Sequence, residues 1–175
     1  MIFLETDRLI FRTHEPQDED GFVAMQTDPE VRRYVGGQAW PEEMARTRFR
    51  NEYLGLPKKT YGVWATILKA EARYVGRCGL RASAGKKEAY LAFFIVRAYW
   101  RRGFASEAAK AFIDAGFSRL KLNRILAQVD HRNEVSEHIL QKFRFKYLSR
   151  EEYAASGRVI LLYELSKTEW KSRAS

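Results

Sequence analysis

The chain has 175 residues, enough for one domain with its own core, and its 46% hydrophobic and 14% aromatic content fits a folded globule. Its 31 basic and 22 acidic residues leave a formal charge of +9, which suits an anionic partner (nucleic acid, a membrane surface or a phosphorylated cofactor) or an ordinary solvated surface. One cysteine, Cys78, excludes an internal disulfide framework and a cysteine-rich zinc site, and neither a signal peptide at Met1-Ile-Phe-Leu-Glu5 nor an apolar run of membrane-spanning length is present, so a cytoplasmic location is expected.

In chain order, Arg8–Thr13 alternates as a first strand. Pro16 and the acidic run Asp18-Glu19-Asp20 suit a helix start, with Phe22, Val23 and Met25 on its apolar side. Asp28-Pro29-Glu30 restarts a short helix that stops at Gly36-Gly37. Pro41 opens a helix to Leu54. Arg46, Arg48 and Arg50 are spread around it and not gathered on a stripe, which argues against nucleic acid as a partner. Tyr61–Leu68 and Arg73–Leu80 read as strands, and a turn at 84–87 leads to a third, Glu88–Val96, giving an antiparallel meander.

The basic turn Arg97–Gly103 follows, then a helix from Phe104. Two arginines and a glycine thus stand at a helix N-terminus just after a strand, where free N–H groups and the helix dipole favour phosphate. After a break at Lys121–Asn123, Arg124–Val129 is a strand, and the intervening helix makes it a parallel neighbour of Glu88–Val96. Asn133 caps a helix from Glu134 to Phe143. Strands Phe145–Ser149 and Arg158–Leu165 end a domain of residues 1–166, leaving 167–175 as a polar tail. The fold class is α+β: one mostly antiparallel mixed sheet with a single parallel crossover, flanked by helices.

Four motifs in order resemble the GNAT acetyltransferases, and within them the ribosomal-protein alanine N-acetyltransferase (RimJ/RimL-like) branch. They are Thr6–Arg12, Asp28–Tyr34 with Gly36-Gly37, Tyr99–Ala108 and Asn133-Glu-Val-Ser136. The resemblance implies an enzyme that uses acetyl-CoA and acetylates a primary amine by direct transfer. The acceptor would be a protein N-terminus, such as that of a ribosomal protein or peptide, or a small amine. The alternative is a non-catalytic acyl-CoA-binding or RNA- or ribosome-associated module on the same fold.

The resemblance also implies a splayed strand pair, Phe93–Val96 and Ala127–Val129, with pantetheine bonded to the backbone of Phe94, Ile95 and Val96. Arg101, Arg102, Gly103, Phe104, Ala105 and Ser106 would hold pyrophosphate, and Asn133 would touch pantetheine. Catalytic candidates are Glu88, Tyr90 and Ser136. A glutamate often stands in this branch where the chain has Tyr90; Glu88, two residues earlier, shares its strand face and is a possible base. The superfamily's general-acid tyrosine would fall at Leu140, which leaves Ser136. His14, His131 and His138 are the remaining titratable options, with no metal-ligand spacing among them, so no metal is expected. Arg144 stands where relatives carry a helix-ending glycine. The exposed C-terminal strands allow a homodimer.

Overall fold

The computed structural model describes residues 1–57, 61–83 and 87–171. Its strands are β1 (Ile2–Glu5), β2 (Leu9–Arg12), β3 (Gly62–Leu68), β4 (Arg73–Ala82), β5 (Glu88–Ile95), β6 (Arg124–Asp130), β7 (Lys146–Tyr153) and β8 (Arg158–Ser166). They form one sheet in the order β1-β2-β3-β4-β5-β6-β8-β7. Every neighbouring pair is antiparallel except β5 and β6. The helices are α1 (Glu19–Thr27), α2 (Pro29–Arg32), α3 (Glu42–Arg48), α4 (Phe104–Ser118), α5 (Glu134–Lys142) and α6 (Lys167–Lys171). The α+β class with one parallel crossover is the architecture found.

Each face of the sheet has its own apolar layer. On one, α4 turns Phe104, Ala108, Ala109, Phe112 and Ile113 inward against β2, β4 and β5. Phe112 is fully buried, with Phe11 edge-on at 4.9 Å and Phe3 stacked at 5.8 Å; removing such a ring from water contributes roughly 2–3 kcal/mol. On the other face, Phe22, Met25 and Phe49 from α1 and the end of α3 cover Ala65, Ile67 and Tyr74. Helical structure continues past α3 as a π-helical stretch, Phe49–Tyr53, so the segment expected to run to Leu54 is helical almost throughout.

Two elements differ from expectation. Ile2–Glu5, three apolar residues and a glutamate, form β1, an edge strand held by pairing with β2 and by Phe3 stacked on Trp64 at 4.7 Å. Part of the expected polar tail is α6. Its Trp170 donates Nε1–H to Asp114 Oδ1 at 2.9 Å and packs beside Phe117 and Phe143. Residues 172–175, and all of the expected 84–87 turn but Lys87, lie outside the described residues.

Arg144 takes the left-handed conformation that a glycine would, with φ 62°. Phe145 N–H bonds Leu140 O at 3.0 Å and Arg144 N–H bonds Gln141 O at 2.8 Å, the two-bond Schellman ending. The helix therefore ends as it would with a glycine at this position, but with a side chain where none is preferred. Arg144→Gly is expected to raise the unfolding free energy by about 1 kcal/mol. In a thermal melt this reads as a gain of roughly 2–4 °C.

Candidate functional site

β5 and β6 pair through three residues only: Glu88 with Arg124, Ala89 with Ile125 and Tyr90 with Leu126. Beyond them β5 follows β4 as far as Ile95 opposite Gly76, and β6 follows β8 as far as Asp130 opposite Ile160. Each strand is held by its outer neighbour, and the two part. β4 carries a bulge here: Thr66 of β3 faces Gly76 and Ile67 faces Tyr74, leaving Val75 over. Val75 O then accepts from Val96 N–H at 2.9 Å.

This arrangement decides which backbone groups face the gap. A Cβ on Gly76 would lie 2.1 Å from Phe94 O, so the Phe94 backbone is turned to β4. Alternation along the strand then turns Phe93 and Ile95 towards β6, which gives them no ladder partner. Ile95 O is occupied by Trp100 Nε1–H at 2.7 Å. Of the expected backbone trio, the Phe94 and Val96 N–H groups are committed to β4. The Ile95 N–H is left, joined by both groups of Phe93.

The gap opens into a cleft of about 670 Å³ that passes through the sheet. On the α4–α5 side it is lined by Asn133, Ser136 and Leu140. On the α1–α3 side the lining includes Tyr53, Arg77 and Phe94. Asn133 caps α5, its Oδ1 accepting from Ser136 N–H at 3.1 Å, which sets the Ser136 side chain on the first turn beside the gap.

The basic turn sits past the end of β5, at the open end of the split. Gly103 has φ 81°, and a Cβ there would find only Arg8 Nη2 at 3.4 Å, so the backbone conformation and not crowding demands glycine. No side chain caps α4; its first ladder bond runs from Glu107 N–H to Gly103 O. The N–H groups of Phe104, Ala105 and Ser106 therefore point out of the helix end. The acid of this first turn, Glu107, is turned away onto Thr6 Oγ1 (2.6 Å) and Arg8 Nε (2.7 Å). Arg8 also donates to Arg102 O at 2.9 Å, fastening the turn from behind. Arg101 is exposed and Arg102 lies over Phe104 at 5.1 Å. From α5, Lys142 reaches Ser106 Oγ at 2.9 Å, a cation that sequence spacing did not reveal.

The catalytic candidates divide. Tyr90 lines the cleft at the last paired position, and Ser136 lines it from α5. Glu88 does not line it; it sits at the closed end, bonded to Arg124 Nε at 2.6 Å and Ser83 Oγ at 2.7 Å. Leu140 is buried in the wall where a tyrosine was sought. His131 and His138 are outside the lining. His14 is also outside it, buried among Phe22, Phe49, Tyr53 and Tyr74, with Nδ1 on Leu56 O at 2.9 Å; burial holds its pKa below 6.5. A carbonyl only accepts, so Nδ1 carries the proton.

Sequence reasoning missed the residues of the α1–α3 side. Arg77, Arg81, Tyr34 and Tyr53 all line the cleft, as do Tyr153 and Arg158 from the β7–β8 hairpin. An arginine inside an apolar strand was a legible signal at Arg77; the others come together only through the fold. Among the described residues of the lining the one carboxylate is Asp130. Two bonds from Arg132, at 2.9 Å each, hold its pKa down at about 2, with Arg158 at 3.6 Å.

A sequence model of the acetyltransferase (GNAT) domain matches residues 8–146. The chain belongs to the GNAT acetyltransferase family. It is 33% identical over 145 residues to the uncharacterised N-acetyltransferase YoaA of Bacillus subtilis, covering 82% of each chain. It is 32% identical over 169 residues to the uncharacterised N-acetyltransferase p20 of Bacillus licheniformis, covering 93% of this chain and 94% of that one. A GNAT-family acetyltransferase structure from Bacillus anthracis superposes with a TM-score of 0.84 at 24% identity, over 97% of this chain and 100% of the other. The GNAT sheet, split at its parallel pair, is thus the fold of this enzyme.

A depressed carboxylate pKa stabilises the fold above the unfolded value and loses that effect as pH falls through the folded one. For Asp130 the window runs from 3.8 down to about 2. Asp130→Asn is expected to lower the unfolding free energy at pH 7. Chemical denaturation at a series of pH values should show its deficit shrinking below pH 3.8 and closing near 2.

Proposed function

We propose that this GNAT protein transfers an acetyl group from acetyl-CoA directly to a primary amine inside the β5–β6 split. The observation that carries the reading is a gap reaching both faces of the sheet, with an uncapped, basic helix start at its open end. Donor and acceptor can then meet from opposite faces without a covalent enzyme intermediate. Bound acetyl-CoA would supply the activated thioester.

The residues fit that ligand. Gly103, Phe104, Ala105 and Ser106 offer N–H groups to a pyrophosphate, with Arg101, Arg102 and Lys142 as cations beside them. Phe93 and the Ile95 N–H offer an unpaired strand edge to the pantetheine amides. One N–H of that edge would also polarise the acetyl carbonyl. Asn133 and Ser136 stand on the α5 side, where the Ser136 hydroxyl can hydrogen-bond the departing thiolate and relay to it a proton taken from cleft water.

Among the described lining residues the carboxylate is Asp130, and its arginine contacts hold its pKa at about 2, which makes it too weak a base to take the amine's proton. The guanidinium groups of Arg77, Arg81 and Arg158 serve instead: positive charge at the acceptor end weakens the amine's hold on its proton. Water in the cleft then carries it off, and alignment in the gap supplies much of the rate. The missing base also gives support to a module that binds acyl-CoA without turning it over.

Thiol release from acetyl-CoA with a broad amine panel separates the two readings, since the module releases none. Gly103→Glu is expected to weaken CoA binding by ~100-fold or more, through a strained backbone and a charge against the phosphates. Glu88→Gln should cost far less in kcat/KM than the ~100-fold or more expected of a lost general base. Unchanged CoA affinity in Gly103→Glu contradicts the reading.

A further inference from the structure

We propose that the acceptor is an aminocarboxylate, an amine whose own carboxylate is gripped by Arg77; this rests on the transfer reading above. β4 places Arg77 opposite Ala65 of β3 and Phe94 of β5, on the α1–α3 side of the sheet. Its guanidinium lies 4.7 Å from the Phe94 ring centre, 5.0 Å from Tyr53 and 5.8 Å from Phe22. It faces the cleft, and its Nε is buried with no hydrogen-bond partner.

The nearby acids are already taken. Asp18 is held by two bonds from Arg12, at 2.6 and 2.8 Å. Glu19 is held by Arg46 and Arg50. Asp130 is held by Arg132 and Arg158. No ion pair among the described residues includes Arg77. Arg32 adds to the local charge: it is buried, bonded to Gln26 Oε1 at 3.2 Å and Gln38 O at 3.4 Å, both uncharged acceptors. Arg81 stands over Tyr90 at 5.6 Å on the same cleft wall.

A half-buried guanidinium with no ionic partner costs free energy that an anion bound at its cleft-facing side would offset. Aromatic faces orient the fork but leave its N–H edge for a planar, two-oxygen acceptor, which a carboxylate is. A polyamine or aminoglycoside brings further positive charge against this arginine-lined wall and is disfavoured. The acceptor therefore enters carboxylate-first onto Arg77, with its amine towards the gap between β5 and β6.

The test compares L-α-amino acids with their amides and with the corresponding decarboxylated amines. Two readouts are taken: thiol release from acetyl-CoA, and the thermal shift each compound gives the CoA-saturated protein. The wild type is expected to favour acids over amides by ~10-fold or more in kcat/KM, carried by KM. Arg77→Met should erase that preference in both readouts while CoA affinity stays unchanged. Arg77→Lys, which keeps the charge and loses the fork, should keep part of it. A wild type that favours amides, peptides or polyamines, or binds no acid, overturns the proposal, as does an Arg77→Met protein that keeps the preference. If acids bind through Arg77 and no thiol is released, the transfer reading fails and the Arg77 site stands.

Discussion

The structure depends on the parting of β5 from β6. Each strand has a full antiparallel partner on its outer side, and those two ladders outlast the three parallel pairs between them. The Val75 bulge, whose carbonyl takes the Val96 N–H, and the close approach of Gly76 to Phe94 hold β5 to its outer neighbour up to its end, while Trp100 occupies the Ile95 carbonyl that faces the gap. The sheet interior thus contains an edge that ordinary packing would close. Backbone groups on such an edge need water or a ligand. The gap between the strands, lined from both faces, lets them have it.

Charge is organised around the same opening. Many basic residues are occupied at the surface, as in the Arg46 and Arg50 bonds to Glu19 on α1. Others gather around the cleft. Arg101, Arg102 and Lys142 stand at the head of α4; Arg77, Arg81 and Arg158 line the cleft itself. The net charge of +9 is in this sense partly a property of the site. Among the described residues no helix is long and apolar enough to cross a membrane, and no acidic or histidine cluster is arranged for a metal.

Much of this was legible in the sequence because it is local. Asn133 before an amphipathic run, Gly103 before Phe104 and the β-branched, aromatic segments after residue 60 each act within a few residues of themselves. The crossover rule then made β5 and β6 parallel neighbours. What the sequence hid depends on distance. β1 exists because Phe3 finds Trp64, and α6 because Trp170 finds Asp114. Glu88 does share a strand face with Tyr90, but a two-residue offset puts it in the paired end with Arg124, where the split has not begun. Phe94 and Phe93 differ by one position and face opposite ladders, a parity that only the register with Gly76 reveals. Arg144 was visible as an anomaly, and its left-handed backbone shows that the helix keeps a glycine-type ending with arginine in that place.

The central claim is that the β5 edge and the α4 head together receive CoA. Site-resolved amide hydrogen exchange with and without CoA tests it most directly. Slowed exchange at the N–H groups of Phe93, Ile95 and Phe104–Ser106, with Phe94 unchanged because it is already committed to β4, is the predicted result. CoA binding that leaves Phe93 and Ile95 exchanging as before would contradict it.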